Sequence, residues 1–203
     1  MIHVLETADL ENTFGVREVL IKCPALIGLI FNEKLRRLLR DINPNPLRLI
    51  KSIYFNKPPR ANWIVNWHQD LTINLQTPGV AKGYQNWRTV RGRTVVQPNQ
   101  ELLENIFTVR IHLDNCTAAN GALRVIESSH RNGVVNLNEW TETKPGIERI
   151  CEVPKGGVLV MRPLLLHASR RTTNEQQRRV LHLEFTDQTL PDRLAWKEAI
   201  THT

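Results

Sequence analysis

The spacing of apolar residues divides the chain into a helical front and a longer region of short strands. In residues 24–42, apolar side chains recur at intervals near three and four: Leu26, Leu29, Ile30, Leu35, Leu38, Leu39 and Ile42. This period predicts one amphipathic helix that covers a core, and Pro44 follows its end. Residues 7–20 are a weaker helix candidate, with Thr7 or Asp9 as the N-cap and Gly15 as an interruption.

Beyond Pro46 the apolar residues form short runs, which predict strands. The runs are LRLIKSIYF, NWIVNWHQDLTINL, NIFTVRIHLD, ALRVIESS, IERICEV, GVLVMRPLLLHAS and RVLHLEF. Turn signals such as NKPP, DNCTAANG and VPKGG lie between them. Many short strands in one domain favour a jelly roll or a related barrel, so the predicted fold class is mainly β.

Length and composition fit one domain. A chain of 203 residues with 41% apolar content can bury one sizeable core. We expect a single domain over residues 1–203, made of a helical front segment (1–45), a jelly-roll core (46–187) and a C-terminal tail (188–203).

Three compositional features bear on location and chemistry. The chain contains no run of about 18 apolar residues, and acidic residues interrupt its first twenty positions: Glu6, Asp9, Glu11 and Glu18. This start is unlike a signal peptide, so we expect a soluble, cytoplasmic protein. The cysteines lack CxxC spacing, which predicts reduced thiols rather than disulfides or a zinc site: Cys23, Cys116 and Cys151.

The net charge of +7 would attract a nucleic acid, a membrane surface or an anionic small molecule. The basic residues are dispersed in short groups, and we find no groove-reading motif. We therefore expect a small-molecule substrate, with an anionic compound as one option, and neither a nucleic acid nor a membrane as partner. Chain length does not define an oligomeric state.

Two polar side chains interrupt the apolar run NWHQDLTINL at residues 66–75. On a strand, His68 and Asp70 face the same side and Gln69 faces the other. An imidazole and a carboxylate, completed by a second imidazole, form the 2-His-1-carboxylate triad that binds iron(II) and leaves coordination positions open. A metal would also explain polar groups that face the inside of a barrel, where unpaired ones are costly.

The same spacing occurs again at His112 and Asp114, and a glutamate variant occurs at His182 and Glu184. We expect these two pairs to be strand-edge or packed polar residues. Asp114 opens directly onto the turn NCTAANG, and His182 lies after the last plausible partner strand.

Topology selects the remaining imidazole. In an eight-stranded jelly roll the metal ligands come from an early strand and from its late pairing partner. Four candidate strands lie between His68 and His167, which suits that arrangement. His68, Asp70 and His167 are therefore the predicted metal ligands and catalytic residues.

Arg178 follows His167 by eleven residues, and a returning hairpin would bring it beside the metal on the adjacent strand. A guanidinium makes two charge-assisted hydrogen bonds to one carboxylate. Arg178 is thus the predicted anchor for the distal carboxylate of 2-oxoglutarate. Arg179 would face the other side, although a one-residue change of register would exchange the two.

These residues carry a family resemblance. WHQDLTI, NGALRVIESSH, and GGVLVMRPLLLHAS with RRVLHLEF resemble the phytanoyl-CoA dioxygenase family of iron(II)- and 2-oxoglutarate-dependent oxygenases, over roughly residues 47–187. The resemblance implies a double-stranded β-helix (a cupin-like jelly roll), with the N-terminal helices packed on one sheet. It also implies iron bound by His68, Asp70 and His167, and 2-oxoglutarate bound by Arg178 with help from Ser169.

The sequence departs from the family at one turn. The usual Pro-Gly before Ser-His reads Glu127-Ser128 here, a departure that concerns the local turn and not the iron site. His130, in the same segment, is expected to be structural.

The implied activity uses iron(II) as cofactor and 2-oxoglutarate and dioxygen as co-substrates, and it hydroxylates a small molecule with release of succinate and CO2. Related halogenases replace the carboxylate ligand with a small residue, so Asp70 favours hydroxylation or a related oxidation. The alternatives are a cupin-like metal enzyme that does not use 2-oxoglutarate and a non-enzymatic binding module.

Residues 76–105 are polar and rich in Gly and Pro, which is typical of a lid or a binding loop. Its basic residues could meet an anionic substrate: Lys82, Arg88, Arg91 and Arg93. Tyr84 or Trp87 could supply an apolar wall. The alternative is a solvated surface loop with one or two buried aromatic residues.

Overall fold

A computed structural model describes residues 1–8, 10, 13–58, 63–137, 139–140, 146–191 and 193–201. The helices of these residues are α1 (Ile2–Thr7), α2 (Val19–Lys22), α3 (Ala25–Ile30), α4 (Glu33–Ile42) and α5 (Gln100–Glu104). The first strands are β1 (Gly15–Arg17), β2 (Arg48–Lys57), β3 (Val65–His68), β4 (Ile73–Leu75), β5 (Gln85–Val90) and β6 (Arg93–Gln97). The later strands are β7 (Phe107–His112), β8 (Leu123–Ile126), β9 (Glu148–Cys151), β10 (Val158–Met161), β11 (His167–Ser169), β12 (Arg178–Thr186) and β13 (Ile200–Thr201).

The strands form two facing sheets and a small third one. The major sheet has the order β1-β2-β12-β7-β10, with β13 also paired to β2, and the second sheet has the order β3-β11-β8-β9. Their pairings are antiparallel. Four strands of these two sheets, β7 to β10, separate β3 from β11 in sequence. The predicted fold class, a mainly β double-stranded β-helix, is confirmed.

The N-terminal helices cover the outer face of the major sheet. Leu181, Leu183 and Phe185 of β12 are buried against the helical residues Leu26 and Ile30. Burying such a side chain contributes about 1.5–3 kcal/mol relative to leaving it exposed. Because side chains alternate along a strand, the even-numbered residues of β12 face the space between the two sheets.

The front segment differs from its prediction in two places. The single helix expected over residues 24–42 is wrong, because the chain breaks between α3 and α4. Asn32 begins α4, where its side chain accepts a hydrogen bond from the Leu35 amide at 3.1 Å. An asparagine in this role satisfies a free amide at the start of a new helix, which apolar spacing alone does not reveal.

The weaker helix expected over residues 7–20 is also wrong. Thr7 is the last residue of α1 rather than an N-cap, and Asp9 lies outside the described residues. Gly15–Arg17 is a strand that pairs with Ile53–Phe55 of β2. Pairing with a distant strand therefore overrides the local helical period in this segment.

Residues 76–105 contain a β-hairpin and a helix rather than an irregular loop, and their role as a lid or a binding segment stays a prediction. β5 pairs with β6, and Val90 lies opposite Arg93. The two turn residues, Arg91 and Gly92, have φ values of +50° and +75°. Positive φ at both central positions is the hallmark of a type I′ hairpin turn, whose usual Asn-Gly sequence is missing here.

The C-terminal tail packs on the major sheet. β13 pairs with β2, and Glu198 is buried. Its carboxylate accepts hydrogen bonds from the Ser52 amide at 2.9 Å and from the Ser52 hydroxyl. None of the helices in the described ranges has both the length and the apolar character needed to cross a membrane.

Candidate active site

The two candidate imidazole ligands lie opposite each other on paired strands. His68 ends β3, His167 begins β11, and the register pairs them directly. Their ring centroids are 4.1 Å apart. Asp70 follows the end of β3, so the turn after the strand places it rather than strict alternation, and its amide donates to the Pro163 carbonyl at 2.9 Å.

One carboxylate and two imidazoles converge at this point. His68 Nε2 lies 4.0 Å from Asp70 Oδ1, and His167 Nε2 lies 3.6 Å from Asp70 Oδ2. The ligand atoms of the three residues all lie within 4.8 Å of one another. This spacing allows the three side chains to bind one metal ion.

Backbone contacts orient both imidazole rings. His68 Nδ1 lies 2.9 Å from the Asn66 carbonyl, and His167 Nδ1 lies 2.8 Å from the Leu165 carbonyl. A carbonyl can only accept, so each Nδ1 carries the hydrogen and each Nε2 keeps a free lone pair. This second contact is typical of histidines that bind metals.

The local electrostatics leave Asp70 and His167 in the protonation states that a metal requires. Burial raises the pKa of Asp70, but His167, His182, Lys51 and His68 outweigh burial and hold the pKa below its ordinary value. Desolvation lowers the pKa of His167 to about 4. A charged carboxylate and a neutral His167 imidazole therefore face each other at neutral pH, and Asp70 Oδ2 is buried without a hydrogen-bond partner among the described residues.

Arg178 and Ser169 line the same cavity as the three candidate ligands. The cavity has a volume of about 560 Å³. Both residues are buried, and Arg178 Nε has no hydrogen-bond partner within the described part of the chain. Desolvation lowers the pKa of this guanidinium. A buried, incompletely paired guanidinium is a strong site for a carboxylate.

Arg179 faces the opposite side of β12. Its Nε and Nη2 donate to the two Asp114 carboxylate oxygens, each at 2.8 Å. The observed register therefore directs Arg178, not Arg179, into the cavity. The same ion pair gives Asp114 a structural role away from the candidate metal site.

His112 is buried but is not among the residues that line this cavity. Both of its ring nitrogens lack a hydrogen-bond partner among the described residues. Desolvation lowers its pKa to about 4, with Arg110 and Arg178 acting in the same direction. His112 is accordingly a packed, neutral imidazole.

The His182 and Glu184 pair is packed, as expected, but it also lines the cavity, which sequence reasoning missed. His182 Nε2 lies 3.1 Å from Glu184 Oε1, and Arg110 Nη1 lies 2.9 Å from His182 Nδ1. Lys51 forms an ion pair with Glu184 at 2.8 Å. Asp70, His182 and Glu184 also place potential ligand atoms within 4.8 Å of one another.

A sequence signal for this second group exists. His182 and Glu184 have the same parity as Arg178, so alternation places them on its face of the strand. Arg110 alternates with Val109 and Ile111 in β7 in the same way. The polar members of otherwise apolar strands thus mark the inner wall of the barrel.

The remaining predicted residues lie elsewhere. Tyr84 and Trp87 stack with ring centroids 6.5 Å apart and pack against a second apolar cluster rather than the cavity. His130 lies in a short 3₁₀ helix outside the cavity. At the departure from the usual Pro-Gly, Ser128 adopts φ +59°, a left-handed conformation that glycine adopts without strain.

The fold and the site define a class of protein: a double-stranded β-helix in which a His-x-Asp pair and a cross-strand histidine share a cavity with an arginine. The profile of the Phytanoyl-CoA dioxygenase (PhyH) family matches residues 5–180. The chain belongs to this family, whose members use iron(II), 2-oxoglutarate and dioxygen. The resemblance inferred from the motifs is therefore confirmed.

Solved structures support the fold. ThoJ, a non-haem monooxygenase in its apo form, is 14% identical with a TM-score of 0.65, and the match covers 99% of this chain and 76% of that one. HygX from Streptomyces hygroscopicus, solved with nickel and 2-oxoglutarate, is 15% identical with a TM-score of 0.59 and coverages of 91% and 76%.

AviO1 from Streptomyces viridochromogenes Tue57 is 20% identical with a TM-score of 0.53, and the match covers 81% of this chain. The matched region spans 62% of the AviO1 chain. No curated protein matches the sequence.

Proposed function

We propose that this protein is an iron(II)- and 2-oxoglutarate-dependent oxygenase that hydroxylates a small-molecule substrate and releases succinate and CO2. One observation carries the proposal: His68, Asp70 and His167 converge in the cavity that Arg178 also lines. The nickel and 2-oxoglutarate bound by HygX support this cofactor pair. We further propose that the protein acts in the cytoplasm.

The residues present fit the cofactor pair. His68 and His167 would bind the iron through Nε2, Asp70 through its carboxylate, and three ligands leave positions for other groups. When bound, iron(II) and 2-oxoglutarate supply the activation of dioxygen, coupled to oxidative decarboxylation of 2-oxoglutarate. Arg178 would hold the distal carboxylate of 2-oxoglutarate, and the Ser169 hydroxyl in the same cavity would assist it.

Side-chain contacts within the protein already hold other polar residues of the cavity wall in place. Arg110, His182, Glu184 and Lys51 contact one another in a chain of hydrogen bonds and an ion pair. These contacts hold His182 and Glu184 in a polar wall near Asp70, while Arg110 Nε has no hydrogen-bond partner among the described residues. Such a wall can orient a substrate without reorganising.

Asp70 favours hydroxylation within this reaction class. Its carboxylate would occupy the ligand position that halogenases leave open for a halide. A hydroxylase keeps all three protein ligands, and this chain supplies all three in one cluster.

The test is an anaerobic titration of the metal-free protein with iron(II) and 2-oxoglutarate, following the weak visible charge-transfer band of the chelate. We expect the band with the wild-type protein. In Arg178→Gln, the midpoint of the 2-oxoglutarate titration should rise at least tenfold, because a neutral amide replaces the charged guanidinium group. Arg179→Gln is the matched control from the opposite face of the same strand, and its midpoint should stay close to the wild-type value.

Two results would contradict the proposal. Tight iron binding without a chelate band would favour a metal enzyme that does not use 2-oxoglutarate. Absence of iron binding would favour a non-enzymatic binding module.

A further inference from the structure

Four arginines surround an opening beside the candidate metal site, and we call them the arginine mouth: Arg17, Arg88, Arg91 and Arg93. They line a second cavity of about 340 Å³. Arg17 and Arg91 also line the main cavity, as do Lys51 and Thr72, so the two spaces share a wall. A molecule in the mouth would therefore have access to the space around Asp70.

The arginine mouth has no direct carboxylate partner among the described residues, and Asp70 and Glu184 act on Arg17 only from a distance. Among the described residues, none of the four makes a hydrogen bond or an ion pair, and no acidic residue lines the second cavity. Lys51 differs, because Glu184 neutralises it. Four guanidinium groups without a directly paired carboxylate repel one another and attract an anion.

Electrostatics also relate the mouth to the candidate metal site. Desolvation lowers the pKa of Arg17, and the positive charges of Arg93 and Arg91 lower it further. Asp70 and Glu184 act on Arg17 in the opposite direction. An anion held by Arg17 would thus lie within the electrostatic range of the Asp70 carboxylate.

The hairpin backbone is strained where it contributes to the mouth. Arg91 has φ +50°, a left-handed conformation that glycine and asparagine adopt more readily. For another residue this conformation costs on the order of 1 kcal/mol. This turn places Arg91 two residues before Arg93, and both side chains line the same opening.

We propose that the arginine mouth binds the phosphate group of a small phosphate-monoester substrate and directs its carbon skeleton toward Asp70. This inference rests on the proposed oxygenase function and names its substrate class. A phosphate monoester carries a charge of about −1.5 to −2 and three acceptor oxygens, so it can contact several guanidinium groups at once. A carboxylate would leave more of the positive charge uncompensated.

The distribution of other arginines favours a small molecule over a nucleic acid. On β8 and β9, Arg124 is paired with Glu148 and Arg149 with Glu127. These two arginines are paired with carboxylates, whereas the four arginines of the mouth share one opening, which suits a small anion better than an extended phosphate backbone.

The proposal is tested by calorimetry: the anaerobic protein–iron(II)–2-oxoglutarate complex is titrated with glycerol 3-phosphate. Glycerol, which lacks the phosphate group, is the uncharged control ligand. The protein is saturated with 2-oxoglutarate first, so that Arg178 is occupied and glycerol 3-phosphate cannot bind there. We expect millimolar or tighter binding of glycerol 3-phosphate, at least tenfold weaker in the double variant Arg91→Gln/Arg93→Gln. Arg149→Gln, on the second sheet, should bind the probe as the wild-type protein does.

The chelate band is recorded on the same samples and shows that each variant is folded. Equal affinity in the double variant, or equal weak affinity for glycerol and its phosphate, would overturn the phosphate site while the band still supports the oxygenase. Phosphate binding without any chelate band would overturn the substrate role together with the proposed function. Tighter binding of an RNA or DNA oligonucleotide, lost in the same double variant, would replace the small molecule with a nucleic acid.

Discussion

The His68–Asp70 and His112–Asp114 regions share the same sequence spacing and position on a strand, but different residues surround them. In both, the histidine is the last residue of its strand and the aspartate follows two residues later. His68 lies opposite His167, and Asp70 turns toward both rings. His112 lies opposite Val180, and Asp114 turns away to Arg179.

The difference lies in the partners that the fold supplies. An imidazole opposite an imidazole, with a carboxylate between them, creates a metal-binding donor set. An imidazole opposite a valine can only be packed. The spacing of two residues is therefore necessary for a metal site but does not select one.

The largest expected effect is the loss of iron(II) binding when His167, the cross-strand partner of His68, is removed. His167→Ala should abolish iron(II) binding, because it removes one of three ligands and leaves two that cannot hold the ion tightly. His112→Ala should leave the site formed. Anaerobic equilibrium dialysis with iron(II), followed by metal analysis, measures both variants.

The same two variants can also show that the metal site was assigned to the wrong region. Loss of iron in His112→Ala with retention in His167→Ala would mean that the second region holds the metal. Circular dichroism of each metal-free variant separates loss of ligands from loss of fold.

The comparison shows which features could be predicted from sequence. The strands of the core follow local alternation and turn residues, and the choice of His68 over His112 followed from counting strands between pairing partners. Arg178 lies beside the cavity as predicted, but the hairpin on which that prediction was based is wrong, because β11 and β12 lie in different sheets and do not pair. Arg178 reaches the cavity from the sheet that faces His167. The strand and ligand predictions depend on local side-chain alternation and on the order of the strands, which can be read from the amino-acid sequence.

Other features depend on contacts between distant segments. Arg17 reaches the arginine mouth only because Gly15–Arg17 pairs with β2 as a strand, against its helical period. Apolar alternation also could not reveal the hairpin of β5 and β6, because four of the six residues of β5 are exposed and β6 buries the neighbouring residues Val95 and Val96. The break at Asn32 depends on one side-chain hydrogen bond.

The next largest effect concerns His112 and the loss of unfolding free energy at acidic pH. The pKa of His112 is about 4 in the folded protein, against an ordinary value of 6.5. The unfolded chain therefore binds the proton more readily, so stability is complete above pH 6.5 and is lost as the pH falls toward 4. The full loss is about 3 kcal/mol at roughly 1.4 kcal/mol per pKa unit.

His112→Leu removes this titration and keeps an apolar side chain of suitable size. Urea unfolding of the metal-free protein between pH 7 and pH 4, at about half-unit intervals, should show a flatter pH dependence in the variant. His167 titrates in both proteins, so the difference between the curves isolates His112. Parallel curves would contradict the buried, unpartnered state of this imidazole.

The smallest expected effect concerns the aspartate of the same region. Asp114 accepts hydrogen bonds from the Arg179 amide at 2.9 Å and from its guanidinium, with both side chains mostly buried. Asp114→Asn keeps the shape but loses the charge, so we expect a loss of about 1–2 kcal/mol of unfolding free energy. Iron binding should not change, since Asp114 has no place in the candidate metal site.

Glu127→Gln is the matched control for this variant, because Glu127 forms a more exposed ion pair with Arg149. Exposed pairs contribute roughly 0–1 kcal/mol, so urea unfolding should separate the two variants. If Asp114→Asn weakened iron binding without affecting stability, the two His-x-Asp regions would be functionally coupled. If it lowered stability alone, the same two-residue spacing would serve as a fold contact in one region and as a candidate metal site in the other.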